Sequence, residues 1–525
     1  MKSIVLYIVF LLPLFVFSTP EPENQLIKFN ELNFSNDYEK EAFSKFNESK
    51  TENIEFNLLY SSYDHTKTGD RIAALQAIDK AVSYLSKETL GKSDVKKIKV
   101  VYDYVHKQFL KVYKLKNCFM DLFESGEYNC VSATALYAIV FSKLNIPYQI
   151  RETPEHVYLI AYPNTSKILI ETTSPTKGYF QFNNSFVSSF VQNLYESKII
   201  SKEEYEKTPP NELFNKHYFT SESVTLLELS GLQYSNYALF ALDDNDYLQA
   251  NEECKKAYYL FRGEKHKYLM KSIIANILDK NGYATFESVV NLSILCRYNN
   301  LNPKEINNDV ILNEFTKVLQ AQLIDKSDYL LIDKSYKLIS DELTDSLLKN
   351  EIGFRYNFEL ARLGYLNSKG KDYQLEKLAN AYKFNSLNAN LRSLIVAHYT
   401  QFVQKYDDCK GASEFSEKFV LQFDFMKEHE LFLSVKASCY LENAYESYYF
   451  NDLKSGDQYL KLYEELNSNN QNLIPNESFV ERAYSQAAVA YYKKGNYAKS
   501  KQLLKSGLKY APNNFGLLQR LKQIP

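Results

Sequence analysis

The chain has 525 residues, of which 45% are apolar and 24% charged, and its formal net charge is -2. That length allows roughly two to four domains. A near-neutral balance without any long Lys/Arg block excludes non-specific nucleic-acid binding, which needs clustered positive charge against phosphates.

The N-terminus reads MKSIVLYIVFLLPLFVFSTPEPE. Lys2 supplies a positive start, Ile4 to Phe17 an apolar run, and Val16-Phe17-Ser18 a small residue before the polar Thr19. This pattern predicts a secretory signal peptide over 1–18, hence an exported protein of the periplasm or cell envelope. Uncleaved, the run would be the chain's only membrane contact. It is short against the roughly 20 residues of a span.

Residues 19–69 form a polar lead-in with room for one helix. A helix is predicted over 70–87, where Ile72, Leu75, Ile78, Ala81, Val82 and Leu85 recur at three- and four-residue spacing. A second is predicted over 93–112, with Ser93 or Asp94 as cap and Ile98, Val101, Tyr102, Val105 and Phe109 as its stripe. Residues 130–144 read as a buried helix stopped at Asn145-Ile146-Pro147. The runs YQIRE, HVYLIAY and KILIETT then read as strands of a small antiparallel sheet. Residues 70–225 are therefore expected to be an α+β domain.

From 230 to 525 the pattern is helical throughout. In the last unit Tyr484, Ala487, Ala488 and Tyr491 share one helix face. Gly495-Asn496-Tyr497 makes a turn, Leu504 and Gly507 lie on a second helix, and Pro512 ends it. This offset set resembles the tetratricopeptide repeat, a helix pair of about 34 residues, with Ser500 where that family prefers Ala. Asn245-Asp246-Tyr247 with Ala250 and Ala257 is a weaker echo, and a second echo runs from Leu378 to Asn390. A generic helical domain without true repeats is the other reading. Stacked pairs would form an all-α superhelix able to hold a protein or peptide partner.

The chemistry-bearing stretch is Gly126-Glu127-Tyr128-Asn129-Cys130-Val131-Ser132. Asn129 is a good cap, so Cys130 falls in a first helical turn. The unpaired N–H groups and helix dipole there favour a thiolate. Downstream, His156 opens the strand 157–162, and Glu171 lies on the next strand. A turn centred on Pro163-Asn164 pairs 156 with 171; one residue later, it pairs 156 with 173 and leaves Glu171 beside it. Either register assembles a Cys–His–acid set: Cys130 as nucleophile, His156 as proton carrier, Glu171 as orienting acid. Glu152 and Glu155 flank His156 as rival acids.

The words YNCVSATALYAIVFSKLNIPYQIRETPEHVYLIAY and ILIETT resemble the transglutaminase-like branch of the papain-type cysteine enzymes, over roughly residues 90–185. The resemblance implies a papain/transglutaminase-like α+β fold and a triad at Cys130, His156 and Glu171. Glu171 stands where the family usually has Asp, and Thr172-Thr173 follows it rather than Pro-Thr. It also implies acyl transfer through a thioester to water or an amine, in a bacterial hydrolase or amidase. The required oxyanion donors are the Cys130 backbone N–H and, as a guess, Asn117. The rival reading is a non-catalytic envelope scaffold whose repeats bind a protein partner.

No cofactor or metal is expected. The six cysteines (118, 130, 254, 296, 409, 439) form no Cys-x-x-Cys, and no His pair has zinc spacing. Cys254, Cys296 and Cys439 read as small buried apolar residues. His65, His106, His217, His266, His398 and His429 read as surface or capping groups. Gly91-Lys92-Ser93 resembles the end of a phosphate loop but lacks the earlier Gly and a preceding strand.

Overall fold

The computed structural model describes residues 26–48, 54–61, 68–153, 156–173, 178–218, 222–367, 369–470, 473–474 and 476–525. The expected signal segment, His65 and Glu155 lie outside these residues. Among the described residues no helix is long and apolar enough to cross a membrane. The chain divides into two compact units, Met1–Leu301 and Asn302–Pro525.

The first unit opens with α1 (Asp37–Asn47), α2 (Ile54–Ser61), α3 (Thr68–Thr89) and α4 (Asp94–Phe109). A short parallel pair, β1 (Val112–Tyr113) and β2 (Glu127–Tyr128), brackets the single turn α5 (Asp121–Glu124). The central helix α6 (Cys130–Lys143) follows. Then come β3 (Tyr148–Glu152), β4 (Val157–Ala161), β5 (Ile168–Ile170) and β6 (Tyr179–Gln181). Next are α7 (Asn184–Glu196), α8 (Lys202–Lys207), α9 (Pro210–Tyr218), β7 (Glu222–Val224), α10 (Leu226–Asp243), α11 (Tyr247–Leu260), α12 (Glu264–Asn281) and α13 (Phe286–Leu301). The antiparallel sheet runs β6-β5-β4-β3-β7.

Every residue of α6 from Val131 to Phe141 is buried, because the helix packs on β3 and β4 and also on α3 and α10. Its small residues Ala133, Thr134 and Ala135 allow that close approach. α3 buries Ala74, Ile78, Ala81 and Leu85, whereas Ile72, expected in its stripe, is 58% exposed. Leu75 and Val82 pack partly buried against the same core, so the expected stripe stands apart from Ile72 in the first turn.

The expectation of an α+β papain/transglutaminase-like domain followed by an all-α superhelix is corrected by the structure. Helix accounts for 73% and strand for 5%, so the chain is mostly all-α with one small five-stranded sheet. The strand-forming runs are real but extend only three to five residues in the sheet. The sequence on both sides returns at once to helical spacing, with α7, α8 and α9 lying between β6 and β7.

The polar lead-in is bound by ions that its composition does not announce. Lys256 Nζ lies 2.9 Å from Glu39 Oε1 and 3.1 Å from Glu253 Oε2, with all three side chains at most 7% exposed. Arg297 contacts both Glu31 oxygens, at 2.8 and 2.7 Å. These pairs fasten the segment around α1 to α11 and α13. His266 and His398 are also fully buried rather than superficial. Burial lowers the His266 imidazole to about 3 and the His398 imidazole to about 4. His429 does cap a helix, accepting from Leu431 N.

The second unit is helical: α14 (Asn308–Val318), α15 (Tyr329–Glu342), α16 (Ser346–Leu366), α17 (Lys371–Phe384), α18 (Ala389–Val403), α19 (Cys409–Gln422), α20 (Glu430–Tyr449), α21 (Leu453–Asn469), α22 (Glu477–Lys493), α23 (Tyr497–Tyr510) and α24 (Phe515–Gln523). A π-helical segment, Leu319–Ile324, continues α14. Asx caps mark many starts: Asn307, Asp328, Asp345, Asn388, Asp408, Asp452, Asn496 and Asn514 each accept a backbone N–H from their own first turn. α16 packs on α17, α20 on α21 and α22, and α22 on α23. Gly495 takes φ +76° in the turn before α23.

Candidate functional site

The site begins with how α6 starts. Asn129 Oδ1 accepts from Ser132 N at 2.9 Å, and Ser132 Oγ accepts from Asn129 N at 3.0 Å, a reciprocal capping box. Cys130 is thereby held as the first helical residue, partly exposed, where first-turn N–H groups have no intrahelical acceptor.

One turn further along the same helix face, Thr134 Oγ1 donates to Val157 O at 3.3 Å and lies 3.3 Å from Thr172 Oγ1. Val157 follows His156, and Thr172 follows Glu171. The two threonine contacts therefore dock the start of α6 against the ends of β4 and β5 where the imidazole and carboxylate emerge.

The β4–β5 register is Leu159↔Ile170, Ile160↔Leu169 and Ala161↔Ile168. This is the second of the two expected registers; carried on, it sets Thr173 opposite His156. Glu171 reaches back diagonally, and His156 Nε2 lies 3.0 Å from both its oxygens. The Cys130 thiol acts on the same ring as a hydrogen-bonding neighbour that raises its pKa. All three predicted residues are thus brought together.

The electrostatics match that geometry. Hydrogen bonding to Cys130, then to Glu171, raises the His156 imidazole to about 10 against the opposing effect of burial. Burial alone would raise the Glu171 carboxyl. Hydrogen bonds from His156 and Thr173 outweigh it and hold the group below its ordinary range. The set can therefore keep an imidazolium beside a carboxylate. Among the described residues no cluster of His, Cys, Asp or Glu could hold a metal ion.

One expectation changes here. Asn117 is 4% exposed, and its amide donates to Glu127 O at 2.8 Å and Asp121 Oδ2 at 3.3 Å. Its Oδ1 accepts from Ser132 Oγ at 2.6 Å. It staples the loop before α6 and has no donor to spare for an oxyanion. Among the rival acids, Glu152 pairs with Lys265.

Several supporting residues carry no signal of their own in the sequence. Thr173 donates to Glu171 Oε1 from its N, at 3.1 Å, and from its Oγ1, at 2.7 Å. Tyr102 donates to Glu171 O at 3.3 Å. Its ring fills the space beside Gly178, where a Cβ would meet Tyr102 Cζ at 1.8 Å, and Gly178 O accepts from Glu171 N. Tyr113, opposite Tyr128 in the β1–β2 pair, is half-exposed beside the site. Its hydroxyl is raised by burial and further by Cys130 and Glu171. Adjacency to Cys130 and Glu171 could have flagged Tyr128 and Thr173; Tyr102 and Tyr113 are remote in sequence.

Fold and site together define a mostly helical protein with a Cys–His–carboxylate constellation at a helix–sheet seam. No protein-family model matches the chain, and no curated protein sequence matches it.

Proposed function

We propose that this chain is an exported thiol hydrolase or acyltransferase acting on an amide bond, with Cys130 as nucleophile. The observation that carries the reading is the His156 ring bonded to the Glu171 carboxylate at 3.0 Å, with the Cys130 thiol acting on the same ring. The local likeness of the Cys130 and His156 words to transglutaminase-like enzymes supports the same chemistry.

In this reading the Cys130 sulfur, its proton passed to His156, attacks the amide carbonyl carbon. The Cys130 backbone N–H, at the positive end of α6, faces the developing oxyanion. Protonated His156 delivers its proton to the leaving amine as the C–N bond breaks, and a thioester remains. Water or a second amine, deprotonated by His156, then attacks the thioester and frees the sulfur. Glu171 orients the ring and favours the imidazolium throughout. The helix pairs of the second unit, similar in spacing to tetratricopeptide repeats, would hold the protein or peptide partner.

Peptide-resolved alkylation of the full chain by iodoacetamide at about pH 6 tests this, since an unassisted thiol near 8.5 is largely protonated there. Rapid labelling of Cys130, slowed at least about tenfold by His156→Ala, is expected. Labelling of Cys130 no faster than that of a free thiol, or unaffected by the substitution, overturns the reading.

A further inference from the structure

We propose that Cys409 and Cys439 form an oxidisable dithiol in the second unit, with Cys409 as the attacking sulfur and Cys439 as the resolving one. This site is separate from Cys130 and does not rest on the reading of its chemistry.

Cys409 is the first residue of α19, and Asp408 caps that helix by accepting from Gly411 N at 2.7 Å. Cys439 lies on α20, which packs against α19. Cys439 Sγ donates to the backbone O of Cys409 at 3.6 Å. Both sulfurs are free. The Cys439 sulfur therefore sits against the residue whose sulfur it would join, on a helix packed against the one that Cys409 opens.

The two thiols differ in the way that exchange chemistry requires. Cys409 is partly exposed, while Cys439 is 6% exposed behind it. The first-turn N–H groups of α19 favour a thiolate at Cys409. The hydrogen bond from Cys439 lowers the Cys409 thiol, against burial and the carboxylates of Glu442, Glu446 and Asp408. The Cys439 thiol is raised by its bond to Cys409 and by burial, so it stays protonated until its turn.

The oxidant is a disulfide, of a small molecule or of another protein. The Cys409 thiolate attacks one of its sulfurs, forms a mixed disulfide and expels the first thiolate. Cys439 then loses its proton, attacks the Cys409 sulfur and expels the second. Two electrons pass to the oxidant, which ends as two thiols, and the chain gains one S–S bond. That bond would tie α19 to α20 across thirty residues of chain.

The test is a non-reducing peptide map and intact mass of the full-length protein before and after incubation with oxidised glutathione. The wild type is expected to lose two hydrogen atoms and yield a linked Cys409–Cys439 peptide pair. Cys439→Ser is expected to stop with glutathione on Cys409, whereas Cys409→Ser takes none on Cys439. A wild type that stays reduced at both positions, or keeps glutathione on Cys409 without closing the bond, overturns the proposal. So does a Cys439→Ser chain left unmodified at Cys409. The wild-type map decides the matter by itself should either variant fail to fold.

Discussion

Thr134 Oγ1 and Thr172 Oγ1 lie 3.3 Å apart in the buried seam between α6 and the sheet. One is a full helical turn beyond Cys130, and the other is the residue after Glu171. With the bond from Thr134 to Val157 O, this contact docks the first turn of α6 on the strand ends that carry His156 and Glu171.

Replacing that hydroxyl by an isosteric methyl isolates its role. Thr134→Val leaves Val157 O and Thr172 Oγ1 short of a partner in the core, a cost of about 1–3 kcal/mol. Thermal unfolding should report the loss of stability, and Cys130 alkylation should slow because the seam loosens. An unchanged alkylation rate would show that Thr134 does not position the sulfur.

Glu171→Gln keeps the side-chain volume and removes the charge. His156 then loses its carboxylate, the second cause of its raised pKa after Cys130. Circular dichroism should be unchanged, while Cys130 alkylation at about pH 6 should slow by roughly tenfold, about 1.4 kcal/mol of lost thiolate stabilisation. Equal rates in the two proteins would remove Glu171 from the set.

The His156–Glu171 pair also links stability to pH. The His156 pKa is raised from 6.5 to about 10, so its contribution is complete below 6.5 and is lost as pH rises toward 10. The Glu171 pKa is lowered from 4.5, so its contribution is complete above 4.5 and fades as pH falls below that value. The stability difference between wild type and His156→Ala should therefore be greatest between 4.5 and 6.5. Denaturant melts at several pH values check this; a difference that grew toward pH 10 would contradict it.

Lys256 stands between two buried carboxylates, Glu39 and Glu253. Lys256→Ala leaves both without their cation, and a loss of about 3–5 kcal/mol is expected from chemical denaturation. The triple replacement of Glu39, Glu253 and Lys256 by apolar residues of similar size should be milder than the single change. A mild single variant would show that water already reaches these ions.

In the second unit, a Cβ on Gly507 would lie 2.9 Å from Tyr484 Cβ and 3.1 Å from Leu517 Cδ1. Ala is the better helix former by about 1 kcal/mol. The backbone-proximal clash, about 1–3 kcal/mol, should nonetheless win and lower the melting temperature. Stabilisation by Gly507→Ala would mean that α22 and α23 can separate freely.

What the sequence determined by itself is local. Asn129 with Ser132 and the Asx caps of the second unit announce helix starts, because cap and capped N–H lie within three residues. The runs at 148–152, 157–161 and 168–170 announce strands in the same way. Cys130 and His156 were legible because each stands where such an element opens. Tertiary structure decided the rest. It chose between two β4–β5 registers, turned Asn117 into a loop staple, left Ile72 exposed at the start of α3 and buried His266, His398 and Lys256. It also kept the sheet small in a mostly helical chain. These outcomes depend on partners tens to hundreds of residues away, as Glu39 is from Lys256, and no window of sequence holds both members of such a contact.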